Sequence, residues 1–175
     1  RFALFCNMLG EDIISNPDVS SVYEVPLVLE EQGLTSKIQK KLGLKIVKPN
    51  LTSWRKLVKI TQSKKKKKVE IAIVGKYFGT GDYQLKDSYA ALFDAIDHSS
   101  WNADVEVVTR WVDSEKVEKE GASKVIGKPD GIIVPIGWGE RGSEGMIAAA
   151  SYAIEKKIPY LGLCYGMQLA AVAFA

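Results

Sequence analysis

The order of apolar and polar residues changes character near residue 69. Before that point, apolar runs are separated by turns and charged stretches. Residues 2–8, "FALFCNM", form an unbroken apolar run that predicts a buried strand with Cys6 in a core. A turn-rich "LGEDIISNPDVSS" follows. In "SVYEVPLVLEEQGL", Pro26 suits a first helical turn, so a helix is expected from Pro26 to Gln32, closed by Gly33. "TSKIQKKLGL" predicts a short amphipathic helix, and "KIVKPN" a connecting segment. Leu51, Trp54, Leu57 and Val58 recur at helical spacing, with Thr52 or Ser53 as the expected N-cap.

From Val69 onward, strand and helix patterns alternate. Strands are expected at 69–77, 104–112, 130–139 and over "PYLGLC". Helices are expected at 86–100, at 142–157 and from 165 to 175, with "SEKVEKEGASKVIG" helical in part. Four short apolar strands alternating with helices predict an α/β fold, a mostly parallel sheet with helices on both faces. Sites in such sheets lie at the carboxyl ends of strands. Both glycine-rich loops, 137–142 and 162–166, fall there.

Composition adds exclusions. Hydrophobic residues make up 46% and charged residues 26%, the profile of a soluble globular protein. The net charge is +3, but the run Lys64–Lys68 alone carries five positive charges, and without it the balance turns negative. The basicity is therefore local, a solvated linker or helix end. No aromatics interleave with the lysines, so nucleic acid ranks last among partners. No apolar run approaches the roughly 18 residues of a membrane span. Two distant cysteines, Cys6 and Cys164, build no disulfide scaffold, and a reducing cytoplasm is expected. The chain opens on its apolar run without a leader or an initiator methionine, which predicts further sequence upstream.

Candidate chemistry concentrates at Gly162-Leu163-Cys164-Tyr165-Gly166. A strand-to-helix turn that exposes its apex side chain is sharp, and the positions two before and two after must be nearly free of side chain. The sulfur then stands above the sheet edge at a helix N-terminus, where partial positive charge favours a thiolate. The Tyr165 N–H is placed to hold an oxyanion. Gln168 lies one helical turn on, facing the same mouth. The glycines of "PIGWGERGSEG" let N–H groups converge on an anion and offer a second oxyanion donor, with Glu140 and Arg141 expected to pair with each other or with solvent. The one histidine, His98, reads as a helix-end residue that nothing ties to Cys164.

"GLCYGMQLA" and "VPIGWGERGSEGMI" together resemble the class I glutamine amidotransferase domain, in the form found in the CTP synthase family. "FALFCNM", "VSSVYEVPLVLEEQGL" and "VGKY…DSYAAL" extend the resemblance over essentially the whole chain. It implies three parts: the end of an α/β, P-loop-type synthetase domain (1–45), an interdomain linker (46–68) and the first part of an amidotransferase domain (69–175). It implies an enzyme that aminates UTP to CTP with ATP and Mg2+, using ammonia that Cys164 releases from glutamine. Gly137, Tyr165, Gly166, Met167 and Gln168 match the glutamine-binding and oxyanion positions. Arg1, where the family carries lysine, and Pro17, Asp18 and Val19 match nucleotide contacts. No residue here is implied as a metal ligand, and the magnesium carboxylates and phosphate loop are expected before residue 1. The triad's histidine and glutamate are expected beyond residue 175, so the 175 residues alone are expected to be inactive. GTP as activator, CTP as inhibitor and a homotetramer are further implications.

Two departures stand out. Ile136 occupies the place of a family glycine whose peptide must flip, and Trp138 stands where phenylalanine is usual. Two other readings stay open: a non-catalytic regulatory or assembly module on the same fold, and a related superfamily hydrolase.

Overall fold

The computed structural model describes residues 2–64, 67–77, 79–80, 83–84 and 87–175. The chain forms two compact units, divided between residues 64 and 65. Among the described residues, no helix is long and apolar enough to cross a membrane.

The first unit is helical. Its opening run is the short helix α1 (Phe2–Phe5), not a strand, and Phe2, Leu4, Phe5 and Cys6 are exposed rather than in a core. The correction has a physical cause. A strand leaves its backbone groups to a neighbouring strand, and the described residues of this unit contain none. Local bonds from Cys6 N–H to the Phe2 carbonyl and from Met8 N–H to the Ala3 carbonyl satisfy the backbone instead.

A reciprocal cap opens the next segment. The Ser21 hydroxyl accepts from Tyr23 N–H, while Glu24 Oε1 accepts from Ser21 N–H at 3.0 Å. Helix α2 (Val25–Glu31) follows with Pro26 in its first turn, and Gly33 turns the chain with φ 75° into α3 (Leu34–Lys41). Helix α4 (Thr52–Gln62) starts one step differently from expectation. Neither Thr52 nor Ser53 caps it; Leu51 is the flanking residue, and Asn50 Oδ1 accepts from Thr52 N–H at 3.1 Å. The asparagine side chain offers that acceptor from outside the helix. Trp54 Nε1–H donates to the Tyr23 carbonyl at 2.7 Å, tying α4 to the cap region. Trp54→Phe removes that donor and leaves a half-buried carbonyl. The expected loss is about 1 kcal/mol, read from the urea midpoint of the first unit's transition.

The second unit is a layered α/β structure. In chain order it contains β1 (Lys67–Gly75), the two-residue pair β2 (Gly79–Thr80) and β3 (Tyr83–Gln84), α5 (Ala90–Ala103) and β4 (Val105–Asp113). It continues with α6 (Ser114–Glu120), α7 (Ala122–Ile126), β5 (Gly131–Val134), α8 (Ser143–Lys156), β6 (Tyr160–Gly162) and α9 (Tyr165–Phe174). Four strands form one parallel sheet in the order β4-β1-β5-β6. Strand β1 begins earlier than the apolar pattern indicates: Lys67 and Lys68 pair with Val105 and Glu106, and the Lys68 Nζ lies 3.3 Å from Glu106.

Alternate residues of β1 serve opposite layers, as the period of a strand requires. Ala72 and Val74 pack into a core with Met146, Ala149 and Leu169 of α8 and α9. Ile71 and Ile73 pack with Ile96 and Phe93 of α5 on the other face. All four residues of β5 are buried, so this short strand is covered on both sides. The consequence for function is positional. The carboxyl ends of β1, β5 and β6 lie side by side, with Val134 in register with Gly162.

Candidate active site

Strand β6 ends at Gly162, Leu163 follows, and Cys164 is the residue before α9. Cys164 adopts φ 51°, ψ −103°, a region that costs a non-glycine residue on the order of 1–3 kcal/mol. The surroundings enforce it. Leu163 N–H donates to the Val134 carbonyl at 2.9 Å, holding the chain to β5. Gly166 N–H donates back to the Leu163 carbonyl at 3.0 Å, closing the turn. The Tyr160 hydroxyl donates to the Gly166 carbonyl at 2.9 Å, and burial pushes that phenol's pKa to about 12, so it stays a donor.

Both flanking glycines are required by contact. A Cβ on Gly162 would lie 2.6 Å from Met167 N, and one on Gly166 would lie 2.0 Å from the Val134 carbonyl oxygen. The thiol itself is free and exposed. Leu163 and Ile136 wall a cavity of about 590 Å3, apolar and shared with Tyr89, Leu92 and Pro135. Met167 and Gln168 lie on the exposed first turn of α9, while Leu169 anchors that helix in the core. Tyr165 N–H is the leading amide of α9, one of those no preceding helical turn can accept from.

The glycine loop after β5 meets this turn. Gly137 is buried, and a Cβ there would stand 3.2 Å from Tyr165 Cδ1 and 3.6 Å from Met146 Cε. The fold thus brings Gly137 together with Tyr165, as the two separate glycine motifs anticipate. Side chains hold the loop's backbone in place. The Tyr89 hydroxyl donates to the Ile136 carbonyl at 3.2 Å, and burial raises the Tyr89 pKa to about 12. Trp138 N–H donates to the Tyr77 hydroxyl at 3.2 Å, and the Tyr165 hydroxyl donates to the Gly139 carbonyl at 3.2 Å. Ile136 itself is exposed. Its side chain therefore needs no room in the core, and its peptide is fixed through Tyr89.

Lys76 was not singled out by sequence reasoning. It follows β1, is only 6% exposed, and donates to the carbonyls of Trp138 at 3.0 Å and Gly139 at 2.5 Å. Its ammonium also lies 4.8 Å from the centre of the Tyr165 ring. Burial, and then the neighbouring Arg141 charge, lower its pKa. The available signal was a lone charged residue ending an apolar strand, which the sequence alone leaves looking like solvated surface. Arg141 pairs with Glu115 at 2.8 Å and reaches the Lys76 carbonyl, which corrects the expectation that it pairs with Glu140 or with solvent. Glu115 sits 26 residues earlier in the chain, at the start of α6, which no local pattern reveals.

The remaining candidates are elsewhere. Arg1 lies outside the described residues. Pro17 and Asp18 are exposed and Val19 half-buried, in the irregular segment before the Ser21 cap of the first unit. His98 packs its ring against Trp101 on α5, with centroids 5.0 Å apart. Among the described residues, no three His, Cys, Asp or Glu side chains gather where a metal could sit.

The family model "Glutamine amidotransferase class-I" matches residues 84–175, and "CTP synthase N-terminus" matches residues 1–44. The chain is 45% identical to CTP synthase of Roseiflexus castenholzii and 47% identical to that of Thermococcus gammatolerans, over its whole length in both cases. It spans 30% and 32% of those proteins, just under a third of the curated relatives it matches. Among solved structures, the glutaminase domain of Trypanosoma brucei CTPS with bound acivicin is similar at a TM-score of 0.53 and 37% identity, covering 60% of this chain and 39% of that one. The chain belongs to the class-I glutamine amidotransferase family.

Proposed function

We propose that Cys164 opens the side-chain carboxamide of glutamine and that the released ammonia aminates UTP, as part of a CTP synthase. One observation carries this reading. The exposed Cys164 stands at a strained turn whose next residue, Tyr165, bonds through its hydroxyl to the Gly139 carbonyl of the neighbouring strand's glycine loop, where a side chain on Gly137 would meet its ring. Two segments that could offer amide N–H groups thus meet beside one thiol.

The chemistry follows from those parts. The thiolate attacks the carboxamide carbon, and the carbonyl π electrons move onto oxygen. The N–H groups of Tyr165 and Gly137 are the donors for that oxyanion, worth roughly 10²–10³ in rate for each donor of this kind. Collapse of the adduct breaks the C–N bond, and the nitrogen takes a proton to leave as ammonia. Water then cleaves the glutamyl thioester to glutamate and restores the thiol. Met167 and Gln168, on the exposed first turn of α9, line the approach for the substrate's amino-acid end. In the synthetase part, ATP phosphorylates the uracil 4-oxygen and ammonia displaces the phosphate.

The division into 1–45, 46–68 and 69–175 is part of this reading. So are nucleotide contacts at Arg1, Pro17, Asp18 and Val19, magnesium held by other residues, GTP activation, CTP inhibition, a homotetramer and a cytoplasmic setting. The 175 residues alone are expected to turn over little glutamine.

Labelling tests the reading. The full-length protein is treated with diazo-oxo-norleucine, a glutamine-shaped electrophile, and its peptides are mapped by mass. The expected adduct is on Cys164, and excess glutamine protects it. An adduct on Cys6 alone, or none, refutes the role of Cys164 and leaves the non-catalytic module as the better account.

A further inference from the structure

We infer that Lys76 is a positioning residue, an internal strut that locks the loop after β5 against the residue following the nucleophile. The inference rests on the amidotransferase reading of Cys164 and adds a residue to it.

The ammonium of Lys76 has three N–H donors and meets three partners: the carbonyls of Trp138 and Gly139 and the face of Tyr165. Its partners come from the two segments that form the site. The Gly139 carbonyl is shared, accepting from Lys76 and from the Tyr165 hydroxyl together. The loop, the strut and the elbow are therefore one bonded unit. Lys76 is rooted at the end of β1, which pairs with β4 on one side and β5 on the other. Lys76 is the first residue after that rigid element, which suits a group that must hold position.

Geometry turns this anchoring into a functional claim. A peptide unit is planar, with its C=O and N–H pointing in opposite directions. Drawing the carbonyls of Trp138 and Gly139 onto one ammonium sends the N–H groups of Gly139 and Glu140 to the opposite side. Tyr89 treats the preceding unit in the same way: holding the Ile136 carbonyl fixes the direction of the Gly137 N–H. Loop amides organised before substrate arrives need no reorganisation during reaction. A buried ammonium with three partners also resists displacement, because an unpartnered one is costly to keep out of water.

The test compares two electrophiles on Cys164 of the full-length protein. Diazo-oxo-norleucine needs an organised site, whereas iodoacetamide needs only a reachable thiol. Lys76→Met keeps the chain length and removes the donors. The expected result is a fall of about thirtyfold in the diazo-oxo-norleucine labelling rate, with iodoacetamide labelling and ammonia-dependent synthesis within about twofold of the unsubstituted protein. Equal labelling of both proteins by both reagents overturns the inference. A parallel fall in both labelling rates and in ammonia-dependent synthesis also overturns it, since Lys76 would then only support the fold. Should Lys76→Met not fold, Lys76→Gln carries the test, because it keeps a polar side chain but removes the charge and the reach that hold the two carbonyls. Its ratio of the two labelling rates is expected to fall about fivefold, and an unchanged ratio overturns the inference. If the unsubstituted protein itself takes no label at Cys164, the amidotransferase reading fails, and this inference fails with it.

Discussion

Cys164→Ala is expected to abolish glutamine-dependent CTP formation in the full-length protein while ammonia-dependent formation continues. The thiol makes the only covalent bond to the substrate in the proposed reaction, so nothing remaining in the turn can substitute for it. Loss of a nucleophile costs on the order of 10⁴–10⁶ in rate, which leaves activity below detection against background hydrolysis. Free ammonia enters after the thioester steps and bypasses them. The substitution is also structurally mild. The side chain is exposed, so no core contact is lost, and alanine shares the Cβ that already tolerates φ 51° here. Measured with glutamine and then with ammonium chloride as nitrogen source, the variant should show the first rate gone and the second within about threefold. Equal loss of both rates would refute the role given to Cys164.

The geometry of the elbow was legible because its sterics are written in adjacent residues. Glycines two before and two after Cys164 report the approach of Met167 N and of the Val134 carbonyl, and both approaches exist. The parallel sheet was legible for a similar reason, since alternating apolar strands and amphipathic helices leave few other ways to cover both faces. Residues 2–8 were misread because an apolar run is compatible with strand or helix, and only a partner strand decides between them. Lys76 stayed hidden for the converse reason. Its meaning lies in bonds to residues 138 and 139, more than sixty positions away, and no local period encodes that contact. The Glu115–Arg141 pair is the same case. Local sterics can be read from local sequence, whereas side chains that reach across a sheet end become visible only once strand order is known.

The second large effect belongs to Gly166→Ala. The added methyl would stand 2.0 Å from the Val134 carbonyl oxygen and 2.8 Å from its carbon, well inside contact distance. The obstacle is backbone, not a flexible side chain, so it cannot rotate away. That carbonyl already accepts from Leu163 N–H, and β5 is buried along its whole length. Relief must therefore come from α9 moving off the sheet, which breaks the Tyr160 bond to Gly166 and opens the packing around Leu169. Overpacking of a well-filled site costs about 1–3 kcal/mol and more when backbone must shift, so a loss of at least about 3 kcal/mol is expected. Gly10→Ala is the contrast, since a Cβ there meets nothing within 4 Å. Thermal melting should separate the two, with a large fall for Gly166→Ala and almost none for Gly10→Ala. Any Gly166→Ala protein that does fold carries Cys164 on a displaced turn, so its glutamine-dependent rate should fall further than its ammonia-dependent rate. A Gly166→Ala protein that melts with the unsubstituted one would show that α9 does not press on β5, and the strained apex would lose the contact that enforces it.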